Sequence, residues 1–444
     1  PQRQRSLRAA IEWTHALLDP GQQSLLAGLA VCVGAVPLSL VEAVAGPGIP
    51  PAETLDRLEG LLEFSFVRRQ ADRLLGVRFL VPQALRDFAL ERLVALGEEE
   101  RVRQLHAEHV AQLAHAARLW KWGASLEQRS NLLAVMQEVR PAVAWARDHD
   151  PGLHVHICAD LASYWVYAGV LSEVVEELRR ARESGAGSVA DRAWILTLFG
   201  KAAQLQVAED AVQLADQALV EWRSVDDEQE RALGLGPVSW VMRWDARYDE
   251  SIALAKESLE VLRRSGERRL IVRGLVFLAH ALADSQDVDA TEAVLMEAEE
   301  LAGGEPTWEL AEIHGDCAQA RGDAAGAVKL YSESLSWTST TGESHQMLMD
   351  LRCLATSLSQ LGDGEGALEV AELVRLEEQR TGRVGDLPTS VEWFGETIAT
   401  AYESVSPDAA GSAATRAREV PADRRAEHAI ELAGRALGLA TGSD

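Results

Sequence analysis

Apolar residues recur at three- and four-residue spacing along most of this chain, the signature of amphipathic helices. Residues 6–18 read as a helix, with Leu7, Ala10, Ile11, Leu17 and Leu18 among its apolar positions, and Asp19-Pro20 stops it. A second helix runs to about Val33 and a third covers about 38–45, while Pro50-Pro51 opens a fourth that ends near Leu62. Phe64–Arg69 and Val77–Leu80 are short β-like runs separated by a turn-like segment ending at Gly76, and Pro82 starts a helix through about Leu96. Helices followed by a hairpin and a closing helix predict a winged-helix domain over residues 1–97. Residues 98–150 predict a helical linker region, with Arg140-Pro141 interrupting its last helix and Pro141 at a first-turn position.

Residues 151–444 predict a helical repeat. A small or apolar residue opens the second helix of each unit, at Val174, Ala211, Ser251, Thr291, Ala327, Ala367 and, less regularly, Ala429. Small residues at fixed offsets let two helices approach closely, and glycine allows the turn between them, as at Gly322 and Gly362. The pattern is tetratricopeptide-like, with units of 36–40 residues. One such hairpin cannot bury its apolar face alone, so units stack. The pattern breaks between Val384 and Arg425, and Ser406–Arg425 predicts a long loop before a final helix at about 425–439. The expected fold is mainly α: a winged-helix domain, a helical linker bundle and a TPR-like α-solenoid.

Charge sharpens this division. Residues 1–118 hold 13 basic and 14 acidic side chains, while the whole chain carries −26, so the excess negative charge falls almost entirely on the linker and repeats. Such a surface repels phosphate backbones. The helix in the recognition position, Ala52–Leu62, offers Arg57 against Glu53, Asp56 and Glu59, so no direct nucleic-acid binding is expected. Cys32, Cys158, Cys317 and Cys353 lie far apart with no CxxC, which suits reduced thiols and a cytoplasmic setting. The apolar run Leu25–Val41 is interrupted by Gly28, Gly34, Pro37 and Ser39, so it predicts a buried helix–turn–helix core and no membrane span.

The segment RSLRAAIEWTHALLDPGQQSLLAGLAVCVGAVPLSLVEAVAG, with Trp13, Leu17, Leu18, Asp19, Pro20, Gln23, Leu26, Leu29, Ala30, Val31 and Gly34, resembles the winged-helix segment of bacterial STAND signal-transduction ATPases. It is most similar to the LuxR-type and AfsR/SARP-type transcriptional regulators among them. Arg78, Arg86, Phe88, Ala89, Glu91, Arg92 and Leu93 match a second family stretch, and VRPAVAWARDHD a third, so the resemblance covers about residues 3–149. It implies a regulator whose P-loop nucleotide-binding domain precedes Pro1, because GxxxxGK[ST] does not occur in this sequence. No cofactor is expected in this chain itself; ATP or ADP and Mg belong to the implied upstream domain. Val81-Pro82-Gln83 aligns with the histidine-bearing motif that contacts nucleotide in related proteins, and a proline there cannot make that contact. The chain reads as the C-terminal half of such a regulator, without the LuxR-type DNA-binding helix pair. The resemblance also implies oligomerisation on activation.

Carrying the tetratricopeptide register over puts the first helix of each pair on the ligand-binding face. That nominates Tyr167, Gln204, Trp240, Arg243, Trp244, His280, Asp284, Glu312, Asp316 and Arg352, with His156, Ser163 and Gln319 beside them. Trp240, Arg243 and Trp244 fall on one helical face, suited to stacking on a flat ligand or gripping a peptide. The acidic members suit a basic peptide. The histidine groups His106/His109/His115 and His154/His156 lack an HExxH-type spacing, so no metal site is expected. With no GxSxG elbow and no Cys–His signature either, the chain reads as non-catalytic. The expected function is the sensor region of a STAND-type regulator, binding a protein or small-molecule effector on its repeats. A TPR scaffold, or the regulatory arm of a multidomain cyclase or kinase, is the alternative.

Overall fold

The computed structural model describes residues 2–72, 75–118, 124–168, 171–205, 211–243, 246–303, 308–341, 344–381 and 388–438. It is mainly α, with a small three-stranded antiparallel sheet. The chain forms two compact units, residues 1–161 with 181–191, and residues 162–180 with 192–444.

The first unit opens with α1 (Gln2–His15), α2 (Pro20–Leu29), β1 (Val36–Pro37), α3 (Leu38–Ala45) and α4 (Pro51–Glu63). Strands β2 (Arg68–Asp72) and β3 (Gly76–Leu80) follow, then α5 (Gln83–Ala95). Sheet order is β1-β3-β2, with Val36 and Arg69 both opposite Phe79. This is the expected winged helix. Helix α2 starts where the sequence demands: Asp19 accepts from the Gln22 amide at 2.8 Å, the Gln22 side chain accepts from the Asp19 amide at 3.0 Å, and Pro20 takes the first helical position. Leu25, Leu26, Leu40, Leu58, Leu61 and Phe66 form its core. Strand β2 begins four residues later than the pattern suggests. Phe66 and Val67 are buried in the connection that precedes it, which makes that segment read as a strand.

Helices α6 (Glu99–Ala116), α7 (Leu126–Ala134) and α8 (Met136–His149) follow in the same unit. Pro141 corrects one expectation: it lies inside α8, and the break between helices falls at Val135. As the sixth residue of α8, Pro141 leaves the Gln137 carbonyl without its helical partner, and the helix continues through it. Glu138 on α8 is fully buried and accepts from the backbone amides of Val33 and Gly34, at 3.0 and 2.7 Å, and meets His106 Nε2 at 3.0 Å. One carboxylate thereby ties α8 to α6 and to the loop after α2. Helices α9 (Pro151–Ala168), α10 (Leu171–Ser184) and α11 (Val189–Leu205) come next.

The second unit contains α12 (Ala211–Arg223), α13 (Glu228–Arg243), α14 (Tyr248–Ser265), α15 (Arg268–Asp284), α16 (Val288–Ala302), α17 (Trp308–Ala320), α18 (Ala324–Thr341), α19 (Ser344–Leu361) and α20 (Gly364–Thr381). Each helix from α12 to α20 packs on the next, and α15 also contacts α13 and α17, as in stacked helical hairpins. Ser251, Thr291, Ala327 and Ala367 are each the fourth residue of the second helix of a pair, and each is fully buried. Close approach explains Gly315 as well: a Cβ there would lie 2.7 Å from the Tyr331 ring. The residue before each of these second helices' N-caps repeats in left-handed conformation at Ala246, Gln286, Gly322 and Gly362, with φ of 55°, 64°, 78° and 93°.

Past α21 (Pro388–Ser404), the expected loop at Ser406–Arg425 is instead largely helix α22 (Pro407–Glu419), followed by a 3-10 turn and α23 (Arg425–Ala436). Ser406 caps α22, Pro407 sits at its first position, and its buried stripe consists of Ala410, Ala413 and Ala417. A stripe made only of alanine carries little hydrophobic contrast in the sequence. Helices α22 and α23 pack on α20, and α23 also packs on α18 and α19. Among the described residues no helix is long and apolar enough to cross a membrane.

Candidate functional site

Four first helices of consecutive hairpins build one cavity of about 450 Å³. Arg243 ends α13, His280 and Asp284 lie one turn apart on α15, and Glu312, Asp316 and Gln319 share a face of α17. Met349, Cys353 and Gln360 of α19 complete the wall, with Tyr248 from the start of α14 and Gln286 from the turn before α16. The volume is that of a ligand pocket.

The chemistry of this wall is unbalanced. Three carboxylates, Asp284, Glu312 and Asp316, face one guanidinium. Arg243 Nε approaches Asp284 Oδ2 at 3.2 Å, yet neither atom has a hydrogen bond; nor do Arg243 Nη1 and Glu312 Oε2. Arg243 and Glu312 are both 7% exposed, so water does little to compensate them. Tyr331 Oη lies 2.6 Å from Asp316 Oδ1 and 2.9 Å from Gln319 Oε1. A tyrosine has one proton for these two acceptors. With the Gln319 amide turned so that its nitrogen meets the hydroxyl, both bonds form and its oxygen becomes a further acceptor.

Burial pushes the Asp284 carboxyl above its ordinary range, against the pull of Arg243. Burial, then the neighbouring Asp316 and Asp350, hold Glu312 well above it. Asp316 is raised to about 7, chiefly by burial, while the Tyr331 hydrogen bond acts in the opposite direction. The Cys317 thiol is pushed up to about 11 by burial and by Asp316. At neutral pH Asp316 is poised between its protonated and charged forms, and a cation would drive it to the charged form.

Of the residues nominated from sequence, the cavity brings together Arg243, His280, Asp284, Glu312, Asp316 and Gln319. Trp240 lies behind them. Its buried ring packs edge-on to His280 at 4.8 Å and to Phe277 at 6.3 Å. The Arg243 guanidinium sits 4.3 Å and the Lys201 amine 4.4 Å from its centroid. The cation–π contact anticipated for a ligand is thus made within the protein, and Trp240 props Arg243. Arg352 is buried on α19, pairs with Glu378 and does not line the cavity. The side chains of Tyr167 and Gln204, and residue Trp244, lie outside the described residues. Ser163 is buried in α9, and His156 belongs to the first unit, where it meets Asp191.

Sequence reasoning missed Tyr248, Met349, Cys353 and Gln360. On α19 the signal was one residue out of register, since Cys353 follows the nominated Arg352. Cys317 and Cys353 also line the cavity wall. The paired histidines His106 and His109 diverge: the first meets Glu138 and the second Ser39 Oγ at 3.2 Å.

No protein-family profile matches this sequence. A Mycobacterium tuberculosis (strain H37Rv) protein named "Putative HTH-type transcriptional regulator" is 26% identical over 415 residues, covering 88% of this chain and 41% of that protein. The chain therefore spans well under half the length of that relative. An uncharacterised protein of the same organism is 32% identical over 112 residues, 24% of this chain and 28% of its own length. Among solved structures, a STAND protein with a tetratricopeptide repeat sensor from Pyrococcus horikoshii covers 91% of this chain and 63% of its own, with 13% identity and a TM-score of 0.49. A Rap protein complexed with Competence and Sporulation Factor covers 77% of this chain and 99% of its own, with 13% identity and a TM-score of 0.47. The chain is thus a distant homologue of a protein named as a putative HTH-type transcriptional regulator.

Proposed function

We propose that this chain is the winged-helix and sensor region of a STAND-type transcriptional regulator, of the LuxR or AfsR/SARP kind, and that its repeats bind a short basic peptide in the acidic cavity. The observation that carries the ligand class is the set of buried atoms without a hydrogen bond on Asp284, Glu312 and Arg243 around one cavity. Such atoms are costly unless a ligand completes them. A Lys or Arg side chain would meet the carboxylates, and the peptide carbonyl would accept from Arg243. The chain then divides into a winged helix at 1–97, a linker at 98–150 and a repeat sensor at 151–444. It performs no catalysis of its own and works in the cytoplasm. Binding drives a switch only by favouring one state, which here means moving the winged helix against an upstream nucleotide-binding domain and permitting oligomerisation. Direct DNA contact by the winged helix is disfavoured, because Arg57, the one basic residue of α4, is paired with Glu53.

A thermal-shift panel of short peptides, each containing Arg or Lys and matched to a Gln counterpart, tests the ligand class. Hits should be confined to the basic members, and Glu312→Gln should lose them. Equal shifts for basic and Gln peptides, or hits retained in Glu312→Gln, would overturn it; hits from simple amines alone would replace the peptide with a small cation.

A further inference from the structure

The first unit gathers a second set of polar side chains that the proposed sensor does not use. His115, near the end of α6, places Nδ1 at 3.0 Å from Asp160 Oδ2, although 45 residues separate them. His156, one turn before Asp160 on α9, places Nε2 at 3.3 Å from the same oxygen. The two rings stack with centroids 5.4 Å apart, and the three ligand atoms all lie within 4.8 Å of one another. On its other side, His156 Nδ1 lies 2.9 Å from Asp191 Oδ1. The second Asp191 oxygen is held by the Ser188 amide at 3.0 Å and the Ser188 hydroxyl at 2.8 Å.

We propose that His115 Nδ1, His156 Nε2 and Asp160 Oδ2 bind one divalent transition-metal ion of the Zn2+ type. Three observations carry this. First, ligand atoms on a tetrahedral Zn2+, each bound at roughly 2.0–2.2 Å, lie about 3.3–3.6 Å apart. The 3.0 and 3.3 Å separations need only a small outward movement to match. Second, the carboxylate on the far ring nitrogen of His156 is the usual outer-shell partner of a metal-bound imidazole, fixing its tautomer and orientation. Third, the protons are awkward without an ion. His156 can donate to both Asp191 and Asp160 only as imidazolium, whereas a metal takes the place of the proton on Nε2 and leaves Nδ1–H for Asp191. Asp160 is buried and His115 is about half exposed, so the site is anchored at its base and open to solvent at its rim. Two carboxylates offset the ion's charge, and Arg118 opposes it from nearby. An N/O donor set with an open position suits Zn2+ better than Mg2+, which prefers oxygen ligands. The ion would brace α6 and α9 to the start of α11.

The test is calorimetric titration of the 444-residue chain, stripped with chelator, using Zn2+, with Mg2+ as control and Co2+ as a spectroscopic probe. One Zn2+ per chain should bind with a dissociation constant of roughly 1 µM or tighter, and Co2+ should give the intense visible bands of a four-coordinate site. His156→Gln and the solvent-exposed His115→Gln should each weaken binding more than about 100-fold, and Asp191→Asn about 10–100-fold. His149→Gln, at an exposed histidine outside the cluster, should bind as the unsubstituted chain does. Absence of saturable Zn2+ binding, or unchanged affinity in His115→Gln or in folded His156→Gln, would overturn the site. So would an NMR titration in which His156 keeps both ring protons with Zn2+ present, since that makes the cluster a proton site only.

Discussion

Glu138 and Glu312 are both buried glutamates on helices, and their surroundings differ in kind. Glu138 has two backbone amides and a histidine around its carboxylate, so both of its oxygens are bonded within the protein. Glu312 keeps one oxygen without a partner, beside two further carboxylates and a guanidinium that is itself incompletely bonded. The first arrangement holds elements together; the second costs stability and makes sense where a ligand completes it. Buried charge alone therefore does not mark a site. Buried atoms without a hydrogen bond, gathered around one cavity, do.

The comparison can be broken from either side. The largest effect is expected at Glu138: replacement by Ala strands two amides and His106, and should cost about 3 kcal/mol or more in the unfolding of the first unit. A midpoint in urea within error of the unsubstituted chain would remove its role. At Glu377, which is buried on α20 and meets Arg425 of α23 at 2.6 Å, Ala should loosen the C-terminal helices. Hydrogen exchange in α23 should rise about 10-fold or more while α13–α15 stay protected. Opposite in sign, Asp316→Asn should raise stability at pH 8 and weaken binding of a basic peptide. Asp316 has a folded-state value of about 7, above its ordinary 3.8, so the folded state holds the proton longer than the unfolded chain. Stability is then lost as pH rises from about 4 to about 7 and is flat beyond, and Asn should abolish that slope in a pH series of thermal melts. The smallest effect is at Gln286, where a left-handed φ of 64° strains a residue with a side chain. Gly there should stabilise by about 1 kcal/mol or less, and any destabilisation would mean that the Gln286 side chain contributes more than its backbone costs.

Much of the fold was legible because the repeat announces itself in small residues. Ser251, Thr291, Ala327 and Ala367 mark the close helix crossings, and their spacing gave the hairpins. Helix α22 was not legible, since its buried face is alanine and its start, Ser406-Pro407, resembles loop punctuation as much as a cap. Pro141 misled for a related reason: a proline's effect depends on how near the helix start it falls, which the sequence alone does not fix. For the cavity, the helical register nominated Asp284, Glu312 and Asp316, and all three line its wall. The tryptophan pattern identified the right helix and Arg243 with it, but the ring's other cationic partner, Lys201, comes from α11, which no local spacing reveals. The His115–His156–Asp160 cluster was invisible, because no local spacing joins two helices so far apart in the chain.

The central claim is that the acidic cavity takes a cation that drives its carboxyls to the charged form. Calorimetric titration of the chain with its best Arg-containing peptide, at pH 6 and pH 8 and in two buffers of different ionisation heat, tests it most directly. The account predicts protons released on binding and an affinity at least about 10-fold higher at pH 8. An affinity independent of pH, with no proton release, would contradict it.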